Sequence, residues 1–176
     1  MLLSDITFPN NIVVTLKEYL ETIAPPVPNV DPLLADPGIP VFARPLSKND
    51  PNQCIGVSAG MWTPEEDSYE MNGPLSHQGP TISRYIVGVQ TYIKHTDEMT
   101  GLATSATLSG AVRNKIMLTS AGAHPLIGLT STEFGYRETV KKVRILSQRF
   151  VGNEIQGQFL YLSNLEVVVE TEIGKL

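Results

Sequence analysis

Apolar residues at Ile12, Val13, Leu16, Tyr19, Leu20 and Ile23 recur every three to four positions, the spacing of one helical face. Asn10 or Asn11 can cap the start, and Pro25-Pro26 forbid continuation past Ala24, so the pattern predicts an amphipathic helix. Strand patterns follow at Ile39 to Arg44, at Ile55 to Ala59 and over Ile82 to His95. In the last of these Tyr85, Val87, Val89 and Ile93 share one face and Arg84, Gln90 and Lys94 the other. Leu102 to Met117 reads as a second helix, with Ala103, Ser105, Ala106, Ser109, Gly110 and Ala111 small enough to let it lie close on a sheet. On its wheel Arg113 falls on the face of Leu102, Ala106 and Ile116, where a charge needs a buried partner or must snorkel out. Ser120 to Gly135 is ambiguous and suggests only a short strand at Leu126 to Leu129.

Two long strand-like runs close the chain, Tyr136 to Val151 and Ile155 to Glu172, joined by the turn-forming pair Gly152-Asn153. In the second run Phe159, Tyr161, Leu165, Val167 and Val169 alternate with Gln156, Gln158, Asn164, Glu166 and Glu170, the signature of a half-buried strand. A strand of about 15 residues spans roughly 50 Å. A compact chain of this size has a radius of gyration of roughly 16 Å and a diameter of about 40 Å. Part of the hairpin is therefore expected to project.

The chain of 176 residues fits one domain. Two irregular stretches interrupt it: a Pro-rich connector over residues 24–40, with six of the 13 prolines, and a loop over residues 60–80 carrying the only tryptophan, Trp62. The fold class expected is α+β, a mixed or antiparallel β-sheet with two helices packed on it and a long C-terminal β-hairpin.

Thirteen Lys and Arg against 18 Asp and Glu give a net charge of −5, which argues against a broad nucleic-acid-binding face. The charge is unevenly placed. Arg137, Lys141, Lys142, Arg144 and Arg149 put five of the 13 basic residues into the first strand of the hairpin, while Glu65, Glu66, Asp67 and Glu70 cluster in the 60–80 loop. Each run can be a solvated face; together they also suit a contact in which one subunit's basic strand meets an acidic loop on a neighbour.

Chemistry is sparse. Gly56-Val57-Ser58-Ala59-Gly60 has the G-x-S-x-G form of a nucleophile elbow, but Pro64 and a turn-rich loop follow where a helix should begin, so a serine esterase using Ser58 is a remote alternative. His77, His95 and His124 lie in separate segments without the spacing of a metal site, and the single cysteine, Cys54, excludes an internal disulfide. There is no phosphate-binding glycine motif and no EF-hand. Met1 to Asp5 lacks the basic-then-apolar pattern of an export signal, and no run approaches 18 apolar residues. The expectation is a non-enzyme with no cofactor and no metal.

The order of these pieces resembles the tail terminator proteins of long-tailed (siphovirus-type) bacteriophages. The matching stretches are Ile39-Pro-Val-Phe-Ala-Arg-Pro45, Ile55-Gly-Val57 with Trp62-Thr-Pro64, Arg84-Tyr85, Val112-Arg113, Gln148-Arg-Phe150 and Phe159-Leu-Tyr-Leu-Ser163, which together span nearly the whole chain. The resemblance implies a structural virion protein that forms a hexameric ring on the tail tube, ends tube polymerisation and presents a docking surface to the head-tail connector or stopper protein. The partners it implies are further copies of the chain, the tail tube protein and that connector. Genomic DNA would pass through the lumen without specific binding, and no membrane would be involved. The place implied is the neck end of the tail, after assembly in the host cytoplasm. The alternative within this class is another neck or tail component, such as a head-completion or tail-tube protein.

Overall fold

The computed structural model describes residues 4–23, 39–59, 81–117, 124–133 and 135–175. The elements are α1 (Ser4–Leu20), β1 (Val41–Phe42), β2 (Gln53–Ala59), β3 (Thr81–His95), α2 (Glu98–Met117), β4 (Thr130–Glu133), β5 (Tyr136–Ile155) and β6 (Gln158–Lys175). The six strands form one mixed sheet in the order β1-β2-β3-β6-β5-β4, in which only the β1–β2 pair is parallel. The α+β architecture with two helices on a sheet is as the patterning predicts. The Pro-rich connector, apart from Ile39 and Pro40, lies outside the described residues, as do the 60–80 loop, Trp62 and His77.

Both helices cover the same face. The odd-numbered residues of β3 and β6, among them Val87, Val89, Leu165, Val167 and Val169, pack with Ile12, Leu16 and Leu20 of α1 and Leu108, Val112 and Ile116 of α2 in one core. α1 starts at Ser4, well before the expected caps Asn10 and Asn11, and runs through Pro9. Phe8 explains this: it is buried edge-on against Tyr85 at 5.9 Å, a tertiary contact that holds the turn in which proline forfeits a backbone hydrogen bond.

α2 begins at Asp97, whose carboxylate accepts the Thr100 N–H at 2.7 Å as an N-cap. Its sheet-facing side is Gly101, Thr104, Ser105, Leu108, Ser109, Val112 and Ile116. The wheel reading is thereby rotated: Arg113 is exposed, as are Leu102 and Ala106, and no buried charge exists there. Small residues let the helix sit low enough for Ser109 to bond Ser163 at 2.9 Å and for Gln148 to reach Ser109 at 2.6 Å.

Three further expectations are corrected. The first strand keeps only Val41 and Phe42 of the six residues foreseen. Leu126 to Leu129 is a turn, and the strand lies just beyond it at Thr130–Glu133. The hairpin turn is Gln156-Gly157, both at positive φ (53° and 74°), the two-residue geometry whose twist matches the strands. Gly152 instead lies within β5 opposite Tyr161, where a Cβ would stand 3.2 Å from the ring. Its glycine serves a close aromatic contact across the ladder.

Candidate interaction surface

The other sheet face carries no helix among the described residues. Alternation places Arg84 and Lys94 of β3 on it, and the register carries the same face across Glu166, Glu170 and Glu172 of β6 to β5. Two bulges in β5, at Lys141 and at Leu146, reset its alternation so that Val140, Val143 and Ile145 turn to the core while Arg137, Lys142, Arg144 and Arg149 turn to the open face. Lys141 reaches Glu172 on that same face at 3.8 Å. Seven of the 13 basic residues therefore share one sheet face with three described carboxylates, in a chain whose net charge is −5.

The carboxylates form a central row between two basic strands. Glu170, with its side chain 17% exposed, receives Arg144 Nε at 3.2 Å and Arg84 Nε at 3.5 Å, and Glu166 accepts the Ser147 hydroxyl at 2.7 Å. This row answers part of the basic strand from within the chain. Arg137, Lys142 and Arg149 make no ion pair among the described residues. Glu65, Glu66, Asp67 and Glu70, the expected acidic counterparts, lie outside the described residues.

The edge of the sheet adjoins this face. β4 pairs with β5 only from Tyr136 to Thr139, and Val140 bonds Leu129 and Gly128. From Lys141 to Ile155 no described strand lies along the outer edge of β5. Residues 149–157 are exposed throughout, including Phe150 at 58%, Val151 at 54% and Ile155 at 49%, and Leu146 precedes them at 54%. Both faces of β5 are therefore exposed along this stretch.

The remaining candidates are not brought together. Ser58 sits in β2 opposite Gly88, seven residues along β3 from His95 and so about 23 Å away. His124 is buried against Tyr19, with ring centroids 5.3 Å apart, and its Nδ1 accepts the Leu126 N–H at 3.2 Å; burial pushes its pKa down. Among the described residues no three His, Cys, Asp or Glu side chains are grouped to hold a metal ion. Cys54 is fully buried, and burial pushes its thiol up to about 12. Beside it, the guanidinium of Arg44 holds Asp50 down to about 2 and fastens the 44–50 segment, whose Leu46 covers Gly56 on the open face. No helix among the described residues is long and apolar enough to cross a membrane.

Sequence patterning singled out the basic strand but missed its acidic partners on β6, although Glu166 and Glu170 were assigned to one face. The missing step was the register, which the Gln156-Gly157 turn and the two bulges set. No protein-family model matches the chain, and no curated protein is significantly similar to it.

Proposed function

We propose that this chain is a structural virion protein of a long-tailed bacteriophage that assembles as a ring on the tail tube, ends tube polymerisation and docks the head-tail connector. The observation that carries the reading is the hairpin, whose distal part leaves Val151 and Ile155 about half exposed on the basic face and Phe150 about half exposed on the other. Large apolar side chains exposed on both faces of one hairpin end mark a contact surface. A ring requires such a surface to meet a different patch on the next copy. The coarse α+β architecture agrees with what the resemblance of the sequence implies. On this reading Arg137, Lys141, Lys142, Arg144 and Arg149 face acids of a neighbour or of the tail tube, with Glu65, Glu66, Asp67 and Glu70 as acceptors. Genomic DNA passes through the lumen and is not gripped. The activity is binding and geometry, with no bond chemistry.

Exposed ion pairs contribute about 0–1 kcal/mol each, so assembly rests on the apolar hairpin end and charge sets register and rate. Lys141 and Arg144 already pair with Glu172 and Glu170, and reversing their charge would disturb the hairpin itself. The informative variant is Lys142→Glu with Arg149→Glu. It should fold, assemble poorly by solution mass, and give virions whose tails overrun their normal length in electron micrographs. Tails of normal length joined to heads would refute the assignment of the basic strand; a virion that matures normally without the protein would refute the function.

A further inference from the structure

We infer that the outward face of α2 pairs with the same face of a second copy of this chain as an antiparallel two-helix contact, an inference that uses no hairpin residue and holds whether or not the chain caps a tail. The inward side of α2 is taken by the sheet. On the outward side Met99, Ala103, Ala106, Gly110, Arg113 and Met117 recur at alternating steps of four and three residues, the period of a seam between two helices. Met99 and Met117, at the two ends of this line, are 72% and 52% exposed, and Leu102 beside it is 50% exposed. Large apolar side chains exposed along one helix face mark a contact surface.

Gly110 asks for a close neighbour on that face. α2 contains two glycines, and each weakens the helix relative to alanine. The fold accounts for Gly101, where a Cβ would stand 2.8 Å from the Tyr161 ring. It does not account for Gly110, since among the described residues nothing lies within 4 Å of the Cβ position there. Gly110 and Ala106 form the middle of the seam, where small side chains let a second helix approach to about 8 Å, the near limit of helix packing.

The seam is its own complement. Laid antiparallel against itself about its midpoint, it sets Met99 against Met117 of the second copy, Ala103 against Arg113 and Ala106 against Gly110, so that every position finds its counterpart at once. The same arrangement brings Asp97 and Glu98, at the acidic start of each helix, beside the end that carries Arg113 and Lys115 in the other, with the helix dipoles opposed. A parallel pair would set acids against acids and Arg113 against Arg113. A lipid surface fits less well, because Ala106 and Gly110 offer nothing to insert at the centre of the face. A helix of 20 residues is about 30 Å long, so the contact falls at the low end of interface sizes, under about 1,200 Å², and the pair is reversible.

The test mixes two full-length variants, Ala103→Cys and Arg113→Cys, both at exposed positions, and oxidises them mildly at high protein concentration. Cys54 is fully buried and stays out of the reaction. In the antiparallel pair positions 103 and 113 face each other, whereas like positions stand about 15 Å apart along the axis, beyond the reach of a disulfide. The mixed disulfide should therefore exceed each like disulfide by at least about tenfold, where random encounter gives about twofold. Adding Lys142→Glu and Arg149→Glu to both variants should leave that ratio unchanged, which separates this contact from the hairpin's. Ala106→Glu, which puts two carboxylates into the close-packed middle of the seam, should fold as the parent does and associate at least tenfold more weakly in sedimentation. Mixed and like disulfides in random proportion, or an Ala106→Glu protein that associates as the parent does, would overturn the inference. So would a protein that is monomeric at every concentration; if the new thiol of the Ala103→Cys variant then resists maleimide, another segment of this chain is the occupant.

Discussion

Replacing Gly101 with alanine puts helix propensity and packing in direct opposition. Gly101 lies in the first turn of α2, where its N–H donates to the Asp97 carbonyl at 2.9 Å. Alanine favours a helix over glycine by up to about 1 kcal/mol. A Cβ at this position would, however, stand 2.8 Å from Cε2 of Tyr161 and 3.0 Å from Cβ of His95. The ring is restrained, because the β5 backbone at Gly152 runs beside its other edge and its hydroxyl donates to the Glu98 carbonyl at 3.1 Å. Overpacking of this kind costs about 1–3 kcal/mol. Packing should win, leaving Gly101→Ala destabilised by about 1–2 kcal/mol. Gly110, in the same helix, has nothing within 4 Å of its Cβ position, so Gly110→Ala should stabilise by about 0.5–1 kcal/mol. At about 2–4 °C per kcal/mol the two variants should melt on opposite sides of the parent in thermal and urea unfolding followed by circular dichroism. In a Tyr161→Ala background the Gly101→Ala penalty should largely vanish. If Gly101→Ala raises the melting temperature as Gly110→Ala does, the Tyr161 clamp between α2 and the hairpin is not what requires glycine.

Two further outcomes concern buried titratable groups. Cys54, fully buried with its thiol pushed up to about 12, should not react with Ellman's reagent in the native protein at pH 8 and should give one thiol in denaturant; a fast native reaction would contradict the packing around it. His124 has a folded pKa below its ordinary 6.5, so the unfolded chain takes up the proton first. Its contribution is fully present above about pH 6.5 and falls as pH drops below that value, by at most about 1.4 kcal/mol per pH unit. Urea midpoints between pH 5 and 7 should therefore decline toward acid, and His124→Leu should flatten the slope; an unchanged slope would place the titrating group elsewhere.

Elements with long uninterrupted periodicity were legible in the sequence. β3 matches its prediction to within one residue, because alternation from Tyr85 to Ile93 reflects a strand with one face on the core. α2 was legible in type but not in rotation. Its buried side is built from Gly101, Ser105 and Ser109 as well as leucine and valine, so hydrophobicity points to the wrong face when small polar residues are the ones that let a helix lie close. The start of α1 was hidden because the Phe8–Tyr85 contact that secures it is separated by the whole of β1 and β2. The hairpin turn was misplaced for a chemical reason. Gly152-Asn153 has the composition of a tight turn, yet the glycine answers Tyr161 across the ladder, and the turn itself uses Gln156 at positive φ, which few side chains favour. The candidate surface was half legible: the basic strand stands out by composition, whereas its alignment with the β6 carboxylates depends on bulges that no period reveals.

Those bulges are what keep a highly charged strand compatible with the core. At Lys141 and Leu146 one residue is extra, and each insertion flips the alternation so that the apolar residues on both sides of it still face α2 and β6. Removing an extra residue should restore a regular ladder without turning any neighbour over. Deleting Leu146 leaves Ile145 toward the core, Ser147 on the open face and Gln148 toward Ser109, and it removes a side chain that is already 54% exposed. β6 has no such slack, since its pairing with β3 is unbroken from Phe159 to Ile173. Deleting Val168 would turn Glu170 and Glu172 inward from that point and Val169 outward. A stranded buried carboxylate costs about 3–5 kcal/mol, and two approach the whole stability of a domain, about 5–15 kcal/mol. The Leu146 deletion should therefore unfold cooperatively within a few degrees of the parent, about 1 kcal/mol away, while the Val168 deletion should yield no soluble folded protein. Equal damage from the two deletions would show that the register of β5 is not set by its bulges, and with it the placement of Lys142, Arg144 and Arg149 on the open face would fail.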